Sequence, residues 1–195
     1  MGLKINRLAL LLSLLTFAIT STPVVIGGLE GIFYALDPDI MYLGNALSWI
    51  KMHQIHYIDH PGTPAIILLS IAYAPLRALS KLYFRVPFIH WALVNHDIVF
   101  MYSRLFQSLV LSVSIYIFLK TIFGITKLNS STLLSWLALT VFTPFFYLGS
   151  SISPETTSFL IVSVWVYIFA RFLKKPSPLI VSALSLLAGV ALANK

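Results

Sequence analysis

Cysteine is absent from the 195-residue sequence, which excludes a disulfide framework and any thiolate-ligated metal site. Charge is nearly as scarce: Asp, Glu, Lys and Arg together make up 10% of the chain, against about 25% in a typical soluble domain. Such a chain has too little polar surface to face water everywhere. Its hydrophobic content of 58% and mean hydropathy of +0.91 fit a chain whose outer surface faces lipid. Acidic residues number only 6 against 13 basic ones, giving a net charge of +7. The basic residues sit between apolar runs, where they act as topology signals and anionic-lipid contacts; this distribution argues against a nucleic-acid partner. Neither an internal repeat nor a low-complexity segment is present.

Long apolar runs are abundant. A spanning helix needs ~20 largely apolar residues, and five stretches approach this: about 8–28, 98–119, 132–149, 157–172 and 178–194. The first follows Lys4 and Arg7 and has no small-x-small cleavage site, so it reads as an uncleaved span and not as a secretory signal. A sixth run, 64–76, lies between Pro64 and Pro75 and is read as too short to cross, because Arg77, Lys81 and Arg85 follow at once. If 64–76 lies in the interface, then Lys4, Arg7, Lys120, Lys127, Arg171, Lys174 and Lys175 share one side, as the positive-inside rule prefers. All the acids (Glu30, Asp37, Asp39, Asp59, Asp97 and Glu155) then share the other. The expected fold is therefore all-α: a polytopic membrane helix bundle, inserted multi-pass in the plasma (inner) membrane, N-terminus cytoplasmic. Its long exterior loop, 29–97, carries amphipathic juxtamembrane helices, and a short one lies near Ser150–Thr156. Because the chain ends on Lys195 directly after an apolar run, residues 1–195 read as the N-terminal part of a longer module.

Within the long loop, Asp37–Met52 has ordered helix-start signals. Asp37 suits the N-cap, Pro38 the first helical position, and Asp39 the positive end of the dipole. Ile40, Leu43, Leu47 and Ile50 recur at helical spacing, which predicts one apolar face lying on the membrane. Then His53, His56, Asp59 and His60 crowd together, bringing three of the 5 histidines into one stretch. Imidazoles and a carboxylate so placed suit a divalent metal or a phosphate, and equally an ordinary polar loop at headgroup level. No fixed metal-ligand spacing is present, so metal and cofactor remain unassigned. His60-Pro61-Gly62-Thr63-Pro64 encodes an extended turn before the chain meets the membrane again.

Taken in order, these motifs resemble the GT-C superfamily of membrane glycosyltransferases, in the branch of the protein O-mannosyltransferases and the lipid A aminoarabinose transferase. The matching segments are Asp37-Pro38-Asp39-Ile40-Met41-Tyr42 after the first span, His60-Pro61-Gly62, Arg104-Leu105-Phe106-Gln107-Ser108 and Phe123-Gly124. Ser153-Pro154-Glu155 and Gly189-Val190-Ala191-Leu192-Ala193-Asn194-Lys195 complete the series. One departure stands out: many relatives carry Asp-Glu in the first motif, where Ile40 follows Asp39 here.

The resemblance implies transfer of a sugar, with inversion, from a polyprenyl-phosphate donor to a lipid, glycan or protein acceptor on the exterior face. Such chemistry needs a carboxylate to take the acceptor's proton and donors to stabilise the departing phosphate. By that analogy Asp39 is the first candidate base, with Asp37 second, and Glu155 orients acceptor or sugar. His60, His56, Arg104 and Lys195 are candidates for donor phosphate and substrate binding. Other readings stand beside these: Arg104 as a lone arginine snorkelling to a headgroup, and Glu155 as the cap of a helix beginning at Thr156. The rival class is a non-enzymatic polytopic membrane protein: an inactive paralogue, an assembly subunit or a transporter fragment. Transporters usually place ionisable residues near the midplane; here nearly all lie at span ends or in loops, with Arg104 the main exception.

Overall fold

The computed structural model of the protein describes residues 2–26, 37–55, 62–126, 129–141 and 151–194. All regular structure among them is helical. In chain order the helices are α1 (Gly2–Ile26), α2 (Asp37–Met52), α3 (Thr63–Ala72), α4 (Ala74–Leu79), α5 (Phe88–Val94), α6 (His96–Thr126), α7 (Asn129–Val141), α8 (Pro154–Lys174) and α9 (Pro178–Leu192). A π-helical turn, Ser80–Phe84, extends α4. Four helical stretches are long and apolar enough to cross a membrane: Arg7–Ile26, Thr63–Phe84, His96–Thr126 and Pro154–Lys174. The chain is thus an all-α bundle with the make-up of a multi-pass membrane protein.

α1 and α6 form the central pair. Small residues let the two backbones approach: Ser112 donates to the Ser13 carbonyl at 2.7 Å. From that crossing, Leu8, Ala9 and Leu12 of α1 pack with Leu111, Ile115 and Leu119 of α6. Earlier residues of one helix meet later residues of the other, so the pair is antiparallel. The remaining hydroxyls of α1 bond within the helix, Thr16 to Leu12 O and Thr20 to Thr16 O at 2.9 Å each. Lipid offers them no other partner. Trp136 of α7 donates its indole N–H to Thr16 Oγ1 at 2.9 Å and joins the same core. α8 runs parallel to α6: Ile152, just before α8, sits with residues from the start of α6, and Phe159 meets Phe118 further along. α9 then runs back along α8, and Asn194 reaches Pro154 at α8's start. Arg7, Lys120, Arg171, Lys174 and Lys175 consequently lie toward one end of the bundle, and Asp39, Asp97 and Glu155 toward the other.

Two sequence expectations need correction. The run 64–76 is not too short: helix continues through Arg77 and Lys81 to Phe84, and Thr63–Phe84 has the length and composition of a span. The antiparallel α1–α6 pair nevertheless brings the chain back to the same end of the bundle by His96. Only residues 85–95 separate Phe84 from α6, and α5 accounts for seven of them, about 10 Å of rise at 1.5 Å per residue. The other four residues add at most about 14 Å when extended, so the connection falls short of the ~30 Å hydrocarbon core. The segment therefore packs at the acidic end: Tyr73 bonds Ser103 at 2.6 Å, and Tyr102 donates to Ala72 O at 2.7 Å. Pro75, which lacks an N–H, accounts for the break between α3 and α4.

The second correction concerns α2, whose bounds agree with the expected Asp37–Met52. The expected stripe does not lie as one face on the membrane. Ile40 is 54% exposed, whereas Asp39, Tyr42, Asn45 and Ala46 are buried. Leu43, Leu47 and Ile50 pack at the edge of the core, half-buried. The protein-facing side of α2 thus carries polar groups, and the partners of Asp39 lie inward, Arg104 on α6 and Ile152 before α8. Of the expected spans, 132–149 is described only as far as Val141, and α9, with 15 residues, is shorter than a full span.

Candidate functional site

The site forms where α2, α6 and the segment leading into α8 meet. Asp39 lies in the first turn of α2 and is 2% exposed. Its Oδ2 accepts from Arg104 Nη2 at 2.9 Å, and its Oδ1 accepts from the backbone N–H of Ile152 at 2.8 Å. Arg104 projects from α6 one turn past Phe100, whose ring its guanidinium covers at 4.4 Å from the centroid. This geometry replaces the reading of Arg104 as a lone headgroup-seeking arginine: its charge is directed at Asp39. Burial raises the Asp39 pKa above 3.8, and the Arg104 and Ile152 contacts oppose that rise without overcoming it. A carboxylate offers about four lone-pair sites, and the two contacts leave capacity for a further donor.

The two segments that hold this carboxylate carry further buried polar atoms. The hydroxyls of Ser151 and Ser153 flank Ile152, and that of Thr157 follows one turn into α8. None has a hydrogen-bond partner among the described residues, and the same is true of Gln107 Oε1, one turn beyond Arg104. Buried polar atoms are normally paired, so the segments that hold Asp39 keep hydrogen-bonding capacity in reserve.

Glu155 does not join Asp39 directly. It is exposed in the first turn of α8, which begins at Pro154 with Ser153 at its N-cap. The expected helix start at Thr156 is therefore two residues late, since Pro suits the first helical position. Glu155 is close enough to act on Tyr42, whose phenol is pushed up to about 12 by burial first and by the Glu155 charge second. Tyr42 in turn lies against Gly62, where an added Cβ would sit 2.5 Å from the tyrosine Cε1. The Tyr42 of the first motif and the Gly62 of the His-Pro-Gly turn are thus in contact.

The structure brings together Asp39 and Arg104, with Glu155 at the rim. Asp37 is the first residue of α2 but its side chain lies outside the described residues, as do His56, His60 and Lys195 altogether. Among the described residues, no group of three or more His, Asp or Glu side chains could hold a metal ion.

Sequence reasoning missed two participants. The Ile152 amide is a backbone group and leaves no compositional trace. Asn194, 1% exposed, accepts from Ala65 N–H at 3.2 Å and donates to Pro154 O and Ser158 Oγ at 2.8 Å each. It ties the starts of α3 and α8 together below the site. Its one signal was an amide at the end of an apolar run, a costly place for an unpaired polar group. Compared with protein-family models, curated proteins and solved structures, the chain matches none of them.

Proposed function

We propose that this chain is a membrane glycosyltransferase module that passes a sugar from a polyprenyl-phosphate donor to a hydroxyl- or amine-bearing acceptor at the acidic end of the bundle. The observation that carries the reading is the buried Asp39 carboxylate, held by Arg104 and the Ile152 amide. Inverting transfer needs such a group. The acceptor oxygen attacks the anomeric carbon as the bond to the donor phosphate breaks, and the acceptor proton passes to an Asp39 oxygen. Burial makes Asp39 a stronger base than an exposed aspartate. Arg104 fixes the carboxylate and favours its charged form before each cycle. With Arg104 so engaged, stabilising the leaving phosphate falls to His56, His60 and Lys195. Glu155, exposed at the rim, orients the acceptor. The ordered series of motifs from Asp37 to Lys195 supports the same reading.

A second reading is favoured by one feature of the same site. Both Asp39 oxygens already have protein partners, as in a purely structural tie within a non-enzymatic membrane protein. Sugar transfer from polyprenyl-phosphate donors by membranes containing the full chain separates the two readings. On the enzymatic reading Asp39→Asn lowers the rate by ~10²–10⁴ with insertion intact, and Asp37→Asn has a much smaller effect. Transfer activity that Asp39→Asn leaves unchanged would establish the structural reading of the pair.

A further inference from the structure

A second site lies away from Asp39, on the segment that joins α4 to α5. A groove of ≈ 720 Å³ is lined by Arg77, Lys81 and Arg85, together with Ala74, Ser80 and Phe88. No acidic residue lines it, and none of its three cations forms an ion pair among the described residues. All three are exposed. The backbone aims them by an unusual route. Ser80–Phe84 forms a π-helical turn, and such turns concentrate at functional positions. The turn closes on Arg85 in the left-handed region, φ 53° and ψ 31°, with the N–H of Val86 bonding Ser80 O at 3.3 Å. Glycine would adopt that conformation without steric cost. An arginine held there is strained, and strain of this kind is retained where the side chain is needed.

The surroundings identify the ligand. Leu82, Tyr83 and Phe84 are 74%, 77% and 53% exposed beside the groove. Trp91 stacks on Phe84 and on Phe88 at 6.0 and 6.2 Å between ring centroids. Exposed apolar residues interleaved with aromatics and unpaired cations form an interfacial surface, with the apolar side chains in the acyl region and the cations at headgroup level. We infer that Arg77, Lys81 and Arg85 form a binding site for the phosphate of an anionic membrane phospholipid, which seats the α4–α5 segment in the bilayer interface. The inference does not depend on the glycosyltransferase reading, since it uses neither Asp39 nor its neighbours.

The test places the purified full chain in neutral phosphatidylcholine nanodiscs with a trace of a photoreactive lipid, followed by peptide mapping. A phosphatidylglycerol probe should label the stretch around Ala74–Phe88 well above a phosphatidylcholine probe. A cation near an anionic headgroup is worth about fivefold in occupancy. Arg85→Gly keeps the left-handed backbone and removes the charge, so labelling should fall about fivefold in a protein that folds at least as well. The Arg77→Gln/Lys81→Gln/Arg85→Gly variant should lose roughly a hundredfold. The inference is overturned if Arg85→Gly labels like wild type, or if both probes label equally. It is also overturned if inorganic phosphate displaces the anionic probe, because the groove would then read a free anion and not a lipid.

Discussion

The Asp39–Arg104 pair makes an asymmetric prediction about stability that follows from burial. The Asp39 side chain is 3% exposed and that of Arg104 14%. Removing the arginine strands a carboxylate almost wholly out of water, and breaking a buried pair from one side costs about 3–5 kcal/mol. Removing the aspartate is milder. In Asp39→Asn the amide oxygen still accepts from Ile152, and Arg104 keeps its place over Phe100, so the loss should be about 1–2 kcal/mol. Arg104→Gln should therefore be the less stable variant at neutral pH, by about 2 kcal/mol.

Acid should narrow the gap between the two variants. The folded pKa of Asp39 is already raised above 3.8, so between that value and the raised one the native state binds the extra proton. Stability from this group is fully present below 3.8 and is lost as pH climbs through the raised value. Arg104→Gln removes two influences that lower the Asp39 pKa, which widens the window upward. The deficit of Arg104→Gln against wild type should thus shrink steadily as pH falls, while that of Asp39→Asn should not shrink. Equilibrium unfolding in mixed micelles, followed by tryptophan fluorescence at neutral and acidic pH, reads both. Equal losses for the two variants at neutral pH, or a pH-independent deficit for Arg104→Gln, would refute the buried-pair argument.

Three further outcomes are expected. Gly62→Ala should cost about 1–3 kcal/mol by overpacking, because the new Cβ meets a Tyr42 ring that is itself 4% exposed. Its φ of 172° is extended backbone open to any residue, so Tyr42→Ala should relieve most of that cost, and strict additivity in the double variant would show that the clash is not the cause. Asn194→Ala should lose about 1–3 kcal/mol, with Asn194→Asp nearly as poor, since Asp keeps the acceptor for Ala65 but neither donation; wild-type melting of either variant would remove the amide from the fold's supports. The natural absence of cysteine permits clean labelling of single introduced thiols. Tyr83→Cys and Glu155→Cys should react with an impermeant maleimide from one side of the membrane and Lys174→Cys from the other, and opposite reactivity of the first two would break the packing order described above.

How legible each feature was depended on its range along the chain. α2 was readable to its end residues because its start signals, Asp37-Pro38-Asp39, are local and act through the helix itself. The all-α bundle was readable because apolar length is a direct demand of lipid. Periodicity misled in α2 for a physical reason. At a membrane surface both sides of a helix bury against something, so the apolar stripe marks the side facing lipid as readily as the side facing protein. Ile40 is exposed, while Leu43, Leu47 and Ile50 of the same stripe pack against the protein core.

The length of the 64–76 run was misjudged for a related reason. Arg77 and Lys81 stay exposed without interrupting helical hydrogen bonding, so charge ended the apolar pattern and not the helix. Pairing information was the least accessible. Asp39 and Arg104 lie 65 positions apart, and Asp39 and the Ile152 amide 113. Neither separation leaves a local signature, because both contacts are set by how α1 and α6 pack. The antiparallel crossing at Ser13 and Ser112 returns α6 to the end of the bundle where α2 begins, and only then does a lone arginine in an apolar helix have an aspartate to meet. Those two serines, which carry no chemistry of their own, are therefore as necessary to the site as the charges they bring together.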